Sequence, residues 1–163
     1  SLIHHLSIIA LDKTTDELVG FAINEDLHSE NTIDTSQFYT MNNHYIPFIS
    51  MLHALSGTYL NLEKKNNHNF QLQLLGVKPT YQGKKIGQTL IEVSEVIAKQ
   101  HQFACIVIEA TSPVTKSLCE KLQYINLGNL PYKDFVLDGK KPFEHILDYD
   151  GPYLFMRQLD VQA

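Results

Sequence analysis

A run of glycine, lysine and small polar residues follows a predicted strand that ends at Val77 and opens a predicted helix. It reads KPTYQGKKIGQTL from Lys78 onward. The first N–H groups of a helix have no partner within the helix and lie at the positive end of its dipole, so they bind anions well. Lys84 and Lys85 add positive charge, and Gly87 lets a ligand approach the backbone. The run predicts a pyrophosphate site, although an ordinary turn between strand and helix would give the same pattern.

The spacing of these glycines and of the histidines excludes several familiar sites. Neither GxxxxGK[ST] nor GxGxxG occurs, so the run is not a P-loop or a dinucleotide fingerprint. The chain has eight histidines, but it contains no HExxH and no Cys/His cluster with the spacing of metal ligands. We therefore predict no metal.

Hydrophobic periodicity predicts the elements that position the glycine-lysine run. Strands are predicted at Leu6–Leu11, Leu18–Ile23, Phe70–Val77, Phe103–Ile108, Tyr124–Leu130 and Tyr153–Leu159, and helices at Ile46–Glu63, Ile86–Gln100 and from Pro113. The first two strands form a hairpin, and Asn24–Asn43 reads as a loop. This order predicts an α/β (α+β) fold with a mixed sheet that contains one βαβ unit.

Finer predictions concern faces and ends of these elements. A shift of the apolar phase between Leu74 and Leu75, beside Gly76, predicts a β-bulge. The unbroken apolar run Phe103–Ile108 predicts a parallel neighbour, and Ser112 before Pro113 predicts a helix N-cap. The expected buried helix faces are Phe48, Leu52, Leu55, Tyr59 and Leu62; Ile86, Leu90, Val93 and Ile97; and Val114, Leu118 and Leu122.

Length and composition bound the class of protein. The 163 residues, of which 44% are apolar, suit a single domain spanning 1–163. A formal net charge of −5 and two small lysine clusters argue against nucleic acid. Two cysteines without framework spacing predict a reducing, cytoplasmic location. The absence of a long apolar stretch or a basic leader predicts no membrane segment and no signal peptide.

The run Gln82–Gly87 resembles the acetyl-CoA signature of the GNAT N-acetyltransferases, which is usually Gln or Arg, two residues, Gly, one residue, and then Gly or Ala. Lys85 stands at the first of those two glycine positions. The likeness covers most of the chain and is closest to arylalkylamine N-acetyltransferases. It implies the GNAT fold, with a mostly antiparallel central sheet and a splayed parallel strand pair. It begins at the family's second strand, which implies an amino-terminally truncated domain. The motifs that extend it are IEATSP from Ile108, LCEKLQY from Leu118 and LPYKDF from Leu130.

The resemblance also implies the residues that bind acetyl-CoA. The backbone of Leu75 and Val77 would bind the pantetheine amides, and Ser112 stands where an Asn often contacts the cofactor. The pyrophosphate would lie on Gln82, Gly83, Lys84, Lys85, Ile86, Gly87, Gln88 and Thr89.

The resemblance also implies catalytic residues, and each of them has an alternative role. Thr111 and Thr115 align with two hydroxyls that take part in catalysis in the arylalkylamine branch, and helix capping is the alternative. Cys119 occupies the place of the family's acid tyrosine, and a small core residue is the alternative. Gln71 and Gln73 stand in the strand where some relatives carry an acid, and the family's amino-terminal Glu belongs to the segment that a truncated domain would lack. Glu109 is a substitute candidate for the base. An acceptor pocket could include Tyr39, Tyr45, Tyr132 and Phe135, which could equally be core or loop anchors.

The function predicted from these residues is transfer of an acetyl group from acetyl-CoA to a primary amine of a small molecule, such as an arylalkylamine or a polyamine. A homodimer is left open. Because Lys85 and Cys119 depart from the family pattern, a CoA-binding or interaction domain without activity is the alternative. In a third interpretation the chain is a fragment, and a preceding segment completes its site.

Overall fold

Six strands and three helices make up the computed structural model of the chain, which describes residues 6–27, 45–60 and 68–160. The strands are β1 (Ile8–Leu11), β2 (Leu18–Asp26), β3 (Asn69–Val77), β4 (Cys105–Ala110), β5 (Ile125–Asn129) and β6 (Tyr153–Gln158); the helices are α1 (Ile46–Tyr59), α2 (Ile86–Gln100) and α3 (Pro113–Lys121). The strand order in the sheet is β1-β2-β3-β4-β6-β5. β3 and β4 are parallel, whereas β1 with β2, β2 with β3 and β5 with β6 are antiparallel. The predicted fold class, element order and parallel pair are confirmed.

The described residues fall into two units. One contains residues 6–27, 68–108 and 157–160, with β1 to β3, α2 and most of β4. The other contains residues 45–60 and 109–156, with α1, α3, β5 and most of β6. The prediction of a single domain over 1–163 stays a prediction.

In the first unit α2 buries a stripe that is partly polar. Its buried residues are Leu90, Ile91, Ser94, Glu95 and Ala98. The Asn24 amide donates to Ser94 Oγ at 3.0 Å, and Arg157 donates to Glu95 Oε1 at 2.6 Å. The predicted apolar face was therefore wrong in part, since Val93 is 40% exposed. Polar side chains can replace apolar ones inside a protein once hydrogen bonds satisfy them.

The buried faces of α1 and α3 also differ from the prediction. α1 buries Met51 and Leu55, while Tyr59 is 38% exposed. α3 buries Cys119, and Val114 is 71% exposed. Apolar residues surround most of α1, and α3 has only nine residues. Periodicity therefore had little power to choose a face in either helix. Leu62 lies outside the described residues.

β2 extends further than the hairpin prediction allowed. Asn24, Glu25 and Asp26 continue the strand because they pair with Leu72, Gln71 and Phe70 of β3. Cross-strand pairing thus overrode the polar composition of this segment, and the loop predicted to begin at Asn24 was placed too early. Residues 28–43, the rest of that predicted loop, lie outside the described residues.

β3 contains the predicted bulge, but not beside Gly76. Ile23 pairs with Leu74 and the next residue, Asn24, pairs with Leu72, so Gln73 is the extra residue. The glycine at position 76 has another explanation, because a Cβ there would lie 2.5 Å from the Phe21 ring. A glycine that admits a neighbouring ring was mistaken for the glycine of a bulge.

Candidate active site

The carboxyl-terminal half of β3 has main-chain groups that no neighbouring strand of the first unit uses. Its ladder with β4 ends at the pair Leu72–Ile108, whereas β3 continues to Val77 beside β2. The Lys78 N–H donates to the Val19 carbonyl at 2.9 Å, and antiparallel hydrogen-bonded pairs alternate along a strand. Leu75 and Val77 consequently turn their N–H and C=O groups away from β2. These are the two residues predicted to bind pantetheine amides.

The turn after β3 leads into an open helix start. A short 3₁₀ turn, Pro79–Tyr81, is followed by Gly83 at φ +78° and Lys85 at φ +64°, and α2 then begins. The Lys85 side chain makes no capping hydrogen bond, and the first turn of α2 carries no acidic residue. Gln82 to Lys85 are exposed. The Lys85 side chain and the first turn of α2 therefore supply neither a cap nor a carboxylate that would compete with an anion for the amides at this helix start.

Side chains of the β1–β2 turn fix this loop. The Tyr81 hydroxyl donates to Asp12 Oδ2 at 2.9 Å, and Lys78 forms an ion pair with Glu17. The hydrogen bond to Asp12 raises the pKa of Tyr81 above its ordinary value, so Tyr81 stays a donor at neutral pH. The Lys84 ammonium lies 4.5 Å from the centre of the Tyr81 ring. One positive charge is thereby held at the loop by a cation–π contact.

Lys85 occupies a backbone conformation that favours glycine. At φ +64° an ordinary side chain costs about 1 to 2 kcal/mol. We expect Lys85→Gly to raise the free energy of unfolding by about 1 kcal/mol, which denaturant titration would measure. Lys85→Asn is the matched control, because Asn tolerates this conformation and also lacks the charge. A Gly variant less stable than the wild-type chain would contradict the assignment.

In the second unit the predicted hydroxyl residues surround the start of α3. Ser112 is the N-cap as predicted, and its Oγ accepts from the Thr115 N–H at 3.2 Å. Ser112 Oγ and Thr115 Oγ1 are 3.0 Å apart. Thr111, directly before the cap, is partly buried, whereas Cys119 is fully buried. The structure thus gives Ser112 a capping role, and the catalytic roles of Thr111, Thr115 and Cys119 stay predictions.

The predicted substitute base has a well-defined partner. Glu109 in β4 is partly buried, and its Oε1 accepts from the Ser56 hydroxyl of α1 at 2.6 Å. A carboxylate bound by a hydroxyl is oriented and remains able to accept a proton. Its role as a base stays a prediction.

The predicted aromatic pocket residues fall in different settings. Tyr132 and Phe135 form a buried cluster with Met51, which favours their reading as core residues. Tyr45 is 57% exposed, and Tyr39 lies outside the described residues.

Glu25 is absent from the predicted site residues, because the polar segment from Asn24 was predicted to be a loop. Glu25 lies in β2, where its Oε1 accepts from Gln73 Nε2 at 2.6 Å. The alternation of Val19, Phe21 and Ile23 with smaller residues was the available signal, since it could have extended the strand to Glu25.

Over 6–27, 45–60 and 68–160, three or more His, Cys, Asp or Glu side chains nowhere form a group suited to a metal ion. Within the same ranges, each helix is too short or too polar to cross a bilayer.

The comparison that decides the family covers most of the chain. The model of the acetyltransferase (GNAT) family matches residues 3–122. The chain belongs to the GNAT family. No curated protein matches this GNAT chain.

Solved structures agree with the family's fold. The carboxyl-terminal condensation domain of Ebony, in complex with β-alanyl-dopamine, superposes with a TM-score of 0.82 at 21% identity, over 94% of this chain and 72% of that one. Arylalkylamine N-acetyltransferase 2 from Aedes aegypti superposes with a TM-score of 0.78 at 19% identity, over 95% of this chain and 74% of that one. Drosophila melanogaster polyamine N-acetyltransferase superposes with a TM-score of 0.77 at 18% identity, over 94% of this chain and 75% of that one. At these identities the likeness concerns the fold.

Proposed function

We propose that this GNAT-family protein is an acetyl-CoA-dependent N-acetyltransferase that acts on the primary amine of a small molecule. The observation that carries the proposal is the continuity of β3 with the open start of α2. Main-chain groups of Leu75 and Val77 point away from β2, and a helix start whose N-cap side chain makes no capping hydrogen bond follows within one loop. A long ligand with amides along its length and a pyrophosphate at one end fits both features.

Each part of the ligand has proposed partners. The pyrophosphate lies on Gln82 to Thr89, where the Lys84 and Lys85 side chains supply positive charge. The pantetheine arm runs along Leu75 and Val77 and completes the main-chain hydrogen bonding that β4 does not supply. Ser112 is also proposed as a cofactor-binding residue, as the family resemblance implies.

The transfer requires proton movement as well as binding. The amine nitrogen attacks the thioester carbonyl, a C–N bond forms, the C–S bond breaks, and the thiolate takes up a proton. We propose Thr111 and Thr115 as hydroxyls that assist these steps and Glu109 as a candidate base. The full burial of Cys119 favours its packing role over proton donation to the thiolate.

Arylalkylamines and polyamines are the proposed acceptor classes. The support is the shared fold with structures whose names specify an arylalkylamine N-acetyltransferase and a polyamine N-acetyltransferase. Two measurements test the proposal. One is a thiol-release assay with acetyl-CoA and a panel of both amine classes, and the other is calorimetry with CoA. We expect CoA to bind and thiol to appear only when acetyl-CoA and an amine are both present. CoA binding without turnover for any amine would instead support the inactive CoA-binding domain.

A further inference from the structure

Glu25 projects from the face of the first unit's sheet that is opposite to α2. A Cβ added at Gly20 would lie 3.1 Å from Ile86 and 3.2 Å from Leu90, so Gly20 faces α2. Asn24 faces the same way, since its amide reaches Ser94 of α2. Successive side chains of a strand alternate between faces. The odd-numbered residues of β2, among them Glu25, therefore lie on the other face.

The bulge of β3 holds the Glu25 carboxylate in place. Gln73 is the extra residue of that bulge, and its Nε2 donates to Glu25 Oε1 at 2.6 Å. Bulges redirect side chains and recur beside active sites. The hydrogen bond from Gln73 fixes the direction of one of the two carboxylate oxygens. Glu25 is partly buried, so its charge is oriented and only incompletely screened by water.

The direction of β3 places Glu25 toward the reactive end of the proposed cosubstrate, and this step rests on the proposed function. The phosphates lie beyond Val77, so the arm runs back along β3 past Val77 and Leu75. Strand residues advance about 3.3 Å each, which puts Gln73 about 7 Å beyond Leu75. An acyl group at the tip of the arm would thus arrive near the bulge that holds Glu25.

Apolar side chains continue from Glu25 along the same face. Ile23 precedes it by two residues and pairs with Leu74, which is 57% exposed. Phe21 is the next residue on this face and is partly buried. A held carboxylate beside exposed apolar surface is complementary to a small molecule with one cationic end and an apolar body.

We propose that Glu25, in place of the candidate base Glu109, binds the ammonium of the acceptor amine and takes up its proton before acetyl transfer. The carboxylate accepts one proton from the ammonium, which frees the nitrogen lone pair to attack the thioester carbonyl. The C–N bond then forms and the C–S bond breaks. The second proton lost by the nitrogen passes to the departing thiolate, and Glu25 returns its proton to water. Ile23 and Leu74 contact the apolar body of the amine.

The test compares Glu25→Gln, Glu25→Asp and the wild-type chain, with Asp160→Asn as a control that removes one exposed carboxylate from the same unit. Phenethylamine and acetyl-CoA are the substrates, and calorimetry measures CoA binding separately. We expect Glu25→Gln to lower kcat/KM for the amine about 100-fold or more, with the CoA Kd within about twofold of wild type. Glu25→Asp should recover part of the rate. The residual rate of the Gln variant should rise about tenfold per pH unit, because only amine already deprotonated in solution can react.

Two results would overturn the inference. One is an amine kcat/KM for Glu25→Gln equal to that of Asp160→Asn. The other is a fall in kcat/KM that a matching loss of CoA affinity accounts for. Direct titration of phenethylamine into the CoA complex separates this inference from the proposed function. If the wild-type chain turns over no amine, loss of amine binding in Glu25→Gln still supports recognition by Glu25, and unchanged binding overturns it.

Discussion

Replacing Gly87 with Glu should weaken CoA binding at least about 100-fold while leaving the chain folded. Gly87 is the second residue of α2, so the new carboxylate would lie among the amides that are proposed to bind the pyrophosphate. Two like charges about 4 Å apart near a protein surface repel by about 4 kcal/mol, roughly a thousandfold in affinity before solvent screening is counted. An acidic side chain at a helix start stabilises the helix, so folding should not suffer.

Calorimetry with CoA measures this effect, and two controls separate charge from bulk. Gly87→Gln adds nearly the same volume without the charge and should retain more affinity than the Glu variant. Gly57→Glu adds the charge at an exposed helical position with no atom within 4 Å of the new Cβ, and it should bind CoA normally. If Gly87→Glu binds CoA as tightly as Gly57→Glu does, the phosphate site is not at the start of α2.

Gly151→Ala should destabilise the second unit by about 3 to 5 kcal/mol, the combined cost of overpacking and of a strained backbone. A Cβ at this buried residue would lie 2.2 Å from the Leu130 carbonyl oxygen, and φ is +139°. Two backbone hydrogen bonds flank it, from Leu130 N–H to Pro152 at 3.2 Å and from Tyr132 N–H to Asp150 at 2.9 Å. The obstacle is backbone and cannot move aside as a flexible side chain would.

Gly139→Ala is the matched control for this substitution. Its φ is +74°, yet a Cβ there would meet no atom within 4 Å. The control should therefore cost only the backbone strain, about 1 to 2 kcal/mol. Denaturant unfolding of both variants measures the difference. Equal losses of stability would show that the contact with Leu130 is not what requires glycine at position 151.

Local signals in the sequence sufficed for the order of elements but not for their faces. The N-cap at Ser112 and the parallel neighbour of β4 depend on chemistry within a few residues, and both were predicted correctly. The buried Ser94 and Glu95 of α2 depend on Asn24 and Arg157, which are distant in the sequence. Hydrophobic periodicity predicts that such residues are exposed, because it depends only on residues within the same helix.

The candidate site was predictable to a similar extent. The glycine-lysine run predicted the loop after β3, because glycines mark a turn between a strand and a helix, and the phosphate site there stays a prediction. The bulge at Gln73 follows instead from the register with β2, which a single strand does not specify. The alternation along β2 could have extended the strand to Glu25, but the hydrogen bond from Gln73 depends on a strand partner nearly fifty residues away.

The ion pair between Arg157 and Glu95 affects the order in which the two units can fold during synthesis. Arg157 donates to Glu95 at 2.6 Å, and the Leu159 N–H donates to the Ala104 carbonyl at 2.9 Å. The first unit thus needs residues near 157 to complete contacts with a helix and a loop synthesised much earlier. Because domains fold as their segments emerge during translation, this unit must wait for nearly the whole described chain, while the second unit's contiguous residues 109–156 are already available.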